Sequence, residues 1–343
     1  MKLPPIPDLH DEQLAAQLRH ALDRKTKPQG SLGRIEQLAH QLGMVLGTVQ
    51  PRLVDPQFVV FAGDHGLAHH GVSAYPKDVT AQMVRNFMAG GAASSVLARQ
   101  HGLRSTAVDC GVCCDFDPHE QLVDLKVAHG TADATREPAM SREQCEKAVG
   151  NGIELVRRLP GNALLLGEIG IGNSSAAALL LARLTDAPIE RCAGPGSGLD
   201  DKGLRRKHDV LGRILQRHAG AKEPVAALAA LGGFEIATMT GAVLEAAAQR
   251  RVIVVDGFIS GAAVLVAQRL APFVTQRCVF SHQSAEPGHR AMLHALGARP
   301  LLELDLRLGE GSGAALAWPL VVSASMLLCD MATFESARVS GKC

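Results

Sequence analysis

Aromatic side chains make up only 3% of this 343-residue sequence, with Tyr75 its single tyrosine and Trp318 its single tryptophan. Single-stranded nucleic acid is held on rows of stacking rings, and duplexes need a basic face. With 35 basic against 34 acidic residues neither route is offered, so nucleic acid is not an expected partner. The eight cysteines, at 110, 113, 114, 145, 192, 278, 329 and 343, show no paired framework of the secreted kind. The opening MKLPPIPDLHDEQ has no apolar export segment, and no uncharged apolar stretch of about 18 residues is expected to span a membrane. The expectation is a soluble cytoplasmic protein. Also missing are the GxSxG elbow of serine hydrolases, the HExxH of zinc proteases and any internal repeat at a fixed period.

What is present is a full core and a repeated theme. An apolar content of 47% supports one large domain plus a smaller one. Residues 9 to 49 carry helix-spaced Leu14, Leu18, Leu22 and then Ile35, Leu38, Leu42, interrupted by KTKPQGSLGR. Pro28 and Gly30 predict helix, loop, helix. The loop's Lys25, Lys27 and Arg34 suit either an anion contact or solvent.

From residue 57 onward, strands rich in continuous apolar residues end at a polar side chain beside glycine or another small residue. QFVVFAGDHG ends at Asp64, STAVDCGV at Asp109, NALLLGEIGIG at Glu168, RVIVVDGF at Asp256, RCVFSHQS at Ser281 and His282, and LELDLRLGEG at Glu310. A long helix is expected from about Lys77 to Arg99. Such strands alternating with helices predict an α/β fold, a mostly parallel sheet covered on both faces. Ligands in such sheets sit outside the carboxyl ends of the strands, so these polar residues are expected on one rim. Residues 115 to 143 lack a clean period and read as a long excursion, a candidate lid.

Within LDLRLGEGSGAALAW, the alternating Leu302, Leu304, Leu306 and Leu308 predict a strand, and Ala/Leu spacing predicts a helix after Gly313. Glycines flank Glu310 on both sides and permit positive φ and close approach of a ligand. Taken alone, Glu310 is as readily a solvated turn residue as a displayed functional carboxylate. Gly170-Ile171-Gly172-Asn173-Ser174-Ser175 follows a strand and opens a helix, where backbone N–H groups and the helix dipole hold phosphate. It lacks the third glycine of the dinucleotide fingerprint and the lysine of the P-loop, so it suits a phosphate or ribose, or else a helix capped by Asn173 or Ser174. Gly194-Pro195-Gly196-Ser197-Gly198 precedes a basic run ending in Lys207, an arrangement suited to one phosphate or to a solvated helix start. Asp64-His65 with His69-His70 has no metal-ligand spacing and reads as turn and rim contacts. Cys110 in CGVCC reads as a small apolar residue.

Several segments together resemble one family, the nicotinate-nucleotide:dimethylbenzimidazole phosphoribosyltransferases of cobalamin lower-ligand synthesis. They are KPQGSLGRIEQLA, GDHGLAHHGVSAYPKDVTAQMV, GEIGIGNSSAAA, LGGFEIATMTGAVLEAA, VVDGFISGAAVL and LRLGEGSGAALAWPLV, spread over most of the chain from Lys27 onward. The resemblance implies a Rossmann-like large domain (residues 51–319), a small helical domain from both chain ends (1–50 and 320–343) and a homodimer. It implies transfer of phosphoribosyl from nicotinate mononucleotide to 5,6-dimethylbenzimidazole, with inversion at C1′ and without metal or cofactor. Glu310 matches the family's general base and Glu168 a second, supporting carboxylate. Gly170, Gly172, Asn173, Ser174 and Ser175, with Gly196, Ser197, Gly198 and Lys207, would take the 5′-phosphate and ribose. Tyr75 and Pro76 would line the base pocket, and Leu308 would desolvate Glu310. A nucleotide N-glycoside hydrolase and a non-catalytic nucleotide sensor are the alternatives on the same rim.

Overall fold

The structure is a computed structural model that describes residues 2–196 and 198–340. Its centre is a six-stranded sheet in the order β3-β2-β1-β4-β5-β6. The strands are β1 (Gln57–Gly63), β2 (Arg104–Gly111), β3 (Leu122–Asp124), β4 (Ala163–Ile169), β5 (Val252–Val255) and β6 (Cys278–Phe280). Every pairing is parallel. β1 and β4 are buried along their whole length, the signature of strands covered on both faces.

Side-chain alternation sends neighbouring residues of one strand into two different cores. Val59, Phe61, Leu164, Leu166, Ile253 and Val255 join the cluster covered by helices Arg142–Arg158, Asn173–Thr185, Phe234–Ala248 and Phe258–Leu270. Phe58, Val60, Leu165, Val252 and Val254 join the opposite cluster, covered by helices Glu12–Asp23, Arg34–Leu46 and Val79–Met88 and by helix Ser312–Asp330. The strand order steps outward from β1 through β2 to β3, then restarts on the other side with β4. That switch leaves a crevice at the carboxyl ends of β1 and β4.

Five expectations change. Residues 77 to 99 form two helices, Val79–Met88 and Ala93–Gln100, because Gly90 turns left-handed between them at φ 76°. The run Leu302 to Leu308 is strand only at β8 (Leu302–Glu303), which pairs with β7 (His282–Gln283) in a separate two-stranded sheet. Beyond it Asp305 has φ 53°, and Leu304 and Leu308 are exposed, so the alternation there has no partner strand to serve. The 115–143 excursion supplies β3 and is tied to the body: the Thr131 N–H donates to Asp64 O at 3.0 Å and the Met140 N–H to Ala229 O at 2.8 Å. With Ala134, Ala139 and Met140 in the core, its second half is packed structure. The basic loop exposes residues 28–33 but turns its two lysines inward. Lys25 Nζ donates to Met331 O at 2.6 Å and Lys27 pairs with Glu36 at 2.8 Å, both lysines buried, which ties the two chain ends together. Finally, helix Ser312–Asp330 is long and apolar enough to cross a membrane by length and composition, although none was expected. It lies within the second core through Ala314, Ala315, Trp318, Val321 and Leu328. It runs from the Glu310 turn into the chain-end helices, so residue 320 falls inside it.

Candidate active site

At the carboxyl end of β4 the chain turns through Gly170 and Gly172 into helix Asn173–Thr185. The N-cap is Gly172 at φ 98°, and no side chain caps the helix. Asn173 is used differently: its Nδ2 donates to Glu168 Oε2 in a short hydrogen bond. The first-turn amides are taken largely by the turn's own carbonyls, Asn173 N–H donating to Gly170 O at 3.3 Å and Ser175 and Ala176 N–H to Gly172 O at 2.9 and 3.3 Å, and not by the side chains of Asn173 or Ser174. Lys207, on helix Asp201–Arg217, is fully buried beside this turn, donating to Ser174 Oγ at 3.3 Å and Gly194 O at 3.1 Å. Of the three donors of an ammonium, two find these partners among the described residues. Burial pushes its pKa down to about 8, against the opposing charge of Glu286. A Cβ on Gly196 would stand 3.2 Å from Ser174 Oγ and 3.3 Å from Lys207 Nζ, so the second glycine loop packs directly on the first.

Opposite them lies the Glu310 turn. Gly309, Glu310 and Gly311 have φ of 85°, 62° and 82°, three left-handed residues in succession, of which the central one carries a side chain against its preference. The turn is held from two sides. The Glu310 N–H donates to Glu168 O at 3.2 Å. Asp256, at the end of β5, accepts from Gly313 N and Ala314 N through Oδ1 at 2.7 and 3.0 Å, and from Gly311 N through Oδ2 at 3.2 Å. Ser94 Oγ donates to Glu310 Oε2 at 3.2 Å.

These groups meet in one cavity of about 180 Å³, lined among others by Glu168, Gly170, Gly172, Asn173, Ser174, Gly196, Asp256, His282, Leu308 and Glu310. All three carboxylates are buried. Burial raises each: Glu168 well above the ordinary range, helped by the charge of Asp256; Asp256 to about 7, in spite of its three amides; Glu310 upward, with Ser94 opposing. Leu308 lines the same cavity and is itself exposed, and the backbone of the Glu310 turn packs on Gly167, whose Cβ would stand 2.6 Å from Glu310 O.

Not every expected rim residue reaches the cavity. Asp64 turns back to accept from Cys113 N at 2.8 Å, and Asp109 pairs with Lys126 at 2.8 Å and accepts from Gly111 N and Val112 N. Both hold loops. His65 forms a fully buried pair with Glu235 at 2.7 Å, and His70 pairs with Asp133 at 2.9 Å. Among the described residues no group of three or more His, Cys, Asp or Glu is placed to hold a metal. Cys110 packs in the apolar core, its thiol pushed well up by burial. Tyr75 and Pro76 are exposed on the bend before helix Val79–Met88, while Ser73 of the same segment lines the cavity. Ser175 is buried beneath the loop, Gly198 is exposed beyond it, and Ser197 lies outside the described residues. Reasoning from sequence missed Ser94, Ser284, Glu286 and Arg307. Ser94 sits in GGAASS, which gives no signal beyond a helix start, and Arg307 reads as the polar face of a strand that does not form. A larger cleft of about 1380 Å³ separates the chain ends near Arg24, Lys27 and Arg338, away from the glycine turns and the carboxylates.

Chemically, the smaller cavity sets a buried lysine and two glycine turns beside a wall of three carboxyl groups whose pKa values burial raises. That suits a phosphorylated substrate whose reacting centre turns cationic.

Residues 8–339 match the family model described as Phosphoribosyltransferase. The nicotinate-nucleotide–dimethylbenzimidazole phosphoribosyltransferase of Variovorax paradoxus (strain S110) is 64% identical over 340 residues, 99% of this chain and 97% of the relative. That of Cupriavidus necator is 55% identical over 343 residues, 99% of each. The crystal structure of CobT from Thermus thermophilus superposes with a TM-score of 0.93 at 42% identity, covering 96% of this chain and 100% of that one. Glycine turns, paired carboxylates and full-length similarity agree, and the chain belongs to the nicotinate-nucleotide–dimethylbenzimidazole phosphoribosyltransferase family.

Proposed function

We propose that this protein transfers the 5-phosphoribosyl group of nicotinate mononucleotide to 5,6-dimethylbenzimidazole, giving α-ribazole 5′-phosphate and nicotinate with inversion at C1′. This is the step that makes the nucleotide of the cobalamin lower ligand. The C1′–N bond to the pyridinium breaks with its electron pair going to the ring nitrogen, which leaves uncharged. No general acid is required. One benzimidazole nitrogen attacks C1′ from the opposite face while Glu310 takes the proton of the other, a contribution of about 10² to 10⁴ in rate. The raised pKa of Glu310 suits a base that must work near neutrality. Glu168 supports the ribose as it turns cationic, its carboxyl held in place by Asn173 before charge develops. Gly170 to Ser175, Gly196 to Gly198 and Lys207 take the 5′-phosphate and ribose, with Tyr75, Pro76 and Leu308 toward the acceptor base.

The observation that carries this reading is the Glu310 turn, built over Glu168 and facing the cavity that also receives both glycine loops. The test is nicotinate release with and without dimethylbenzimidazole. Release that depends on the acceptor, with α-ribazole 5′-phosphate by mass spectrometry, is expected. Release without acceptor makes the protein a hydrolase, and binding without any product makes it a sensor. We also propose, on the family resemblance, a cytoplasmic homodimer; sedimentation as a monomer at micromolar concentration overturns the dimer.

A further inference from the structure

We propose that His282 reads the sugar of the phosphoribosyl donor, its Nε2 accepting a hydrogen bond from a ribose hydroxyl. The tautomer of the ring follows from the only proton Ser281 Oγ possesses. That oxygen lies 2.7 Å from the carbonyl oxygen of Asp256, a contact between two acceptors unless the hydroxyl proton sits between them. The same oxygen lies 3.0 Å from His282 Nδ1. Having given its proton away, Ser281 can only accept there, so Nδ1 carries the hydrogen. Asp256 Oδ1, 4.0 Å from Nδ1, favours the same tautomer. Burial pushes the imidazole down to about 4, so at neutral pH the ring is uncharged and Nε2 presents a lone pair.

The ring is seated between two glycines. A Cβ on Gly313 would overlap Nδ1, and one on Gly257 would stand 3.4 Å from Cε1 and 3.6 Å from Nε2. His282 and Gly257 both line the cavity shared by Glu168 and Glu310, which turns the Nε2 edge toward a bound substrate.

What that edge accepts follows from the substrates of the proposed reaction, on which the inference rests. A neutral acceptor nitrogen repels phosphate oxygens, and the nicotinate ring has no N–H. The benzimidazole N–H is committed to Glu310, a stronger base than an imidazole of pKa about 4. The donors left are the 2′- and 3′-hydroxyls.

The experiment compares nicotinate mononucleotide with its 2′-deoxy and 3′-deoxy analogues in wild type, His282→Asn and His282→Gln. Asparagine keeps an N–H toward Ser281 but has nothing at the Nε2 position; glutamine restores an oxygen there. Wild type is expected to discriminate against one deoxy analogue by about 10- to 100-fold in kcat/KM. His282→Asn lowers kcat/KM for the parent nucleotide by a similar factor and abolishes the discrimination, and His282→Gln recovers part of both. The inference is overturned if wild type treats all three nucleotides alike, if His282→Asn discriminates as wild type does, or if it loses turnover equally with every nucleotide. Should wild type release no nicotinate in the presence of dimethylbenzimidazole, the reaction itself is wrong. Affinities of the three nucleotides by calorimetry then carry the same comparison.

Discussion

The backbone N–H of Glu310 donates to the carbonyl oxygen of Glu168 at 3.2 Å, and a Cβ on Gly309 would stand 2.5 Å from Glu168 Oε1. Two carboxylates distant in sequence are thus built as one unit, the strand carrying Glu168 serving as the bed for the turn carrying Glu310. The turn keeps three successive left-handed residues because β4 below and Asp256 beside it bind its amides. Strain concentrated in this way is characteristic of functional sites.

Glu310→Gln removes the base while leaving the Ser94 and Glu168 contacts sterically possible. Turnover should drop by about 10²- to 10⁴-fold, with the fold and dimethylbenzimidazole binding retained. A loss under about tenfold in single-turnover kinetics would remove Glu310 as the base.

Gly311→Ala places a methyl onto the Phe58 ring, in a residue at φ 82°. Left-handed strain of about 1 to 2 kcal/mol adds to an overpacking cost of about 1 to 3 kcal/mol. Urea unfolding should show a loss of about 2 to 5 kcal/mol, together with impaired turnover, since the Glu310 turn must shift. Wild-type stability in this variant would mean that the turn is looser than described.

Acid and base limbs of kcat/KM for the nucleotide should have separate owners. Below the raised pKa of Glu310 the carboxyl is protonated and no base exists. Above about 8, Lys207 loses its proton and with it the attraction for phosphate. An alkaline limb near that value is expected in kcat/KM, which reports the free enzyme. In Lys207→Gln that limb disappears and KM rises below about pH 8; a limb that persists assigns it to another group.

Asp256, raised to about 7 from 3.8, binds its proton more tightly folded than unfolded. Its contribution to stability is therefore full below about 4 and is lost as pH rises toward 7. Between about pH 5 and pH 8 the loss amounts to about 3 kcal/mol. Wild type and Asp256→Asn should differ by about that much in how unfolding free energy changes across this interval. Identical pH slopes would show that Asp256 stays ionised, with its three amides outweighing its burial.

Much of this was legible along the chain. Continuous apolar runs at 57–63 and 163–169 could be satisfied only by strands covered on both faces, and the glycines around Glu310 marked a backbone other residues resist. Local chemistry reached no further where several segments share the decision. The leucine alternation from 302 to 308 has a strand period but continues the β7–β8 ladder no further than residue 303, Leu306 O accepting from the Ala285 N–H of a loop. The aperiodic excursion is ordered by partners elsewhere in the chain, β2 offering an edge for β3 and the body accepting from Thr131 and Met140.

The sequence by itself determined the α/β class, the glycine turns at the strand ends and the family, since all three rest on residue type and spacing. The tertiary structure decided which rim carboxylates act together. Asp64, Asp109 and Asp256 look alike in sequence, each ending an apolar strand beside glycine or cysteine. Asp109 is consumed by the next loop's amides and by Lys126, and Asp64 by the amide of Cys113 on a neighbouring strand's loop, whereas Asp256 meets the amides of the helix that follows Glu310. A carboxylate's partners are set by which backbone N–H groups the packed chain brings within about 3 Å, and that distance is fixed only once both cores have closed around the sheet.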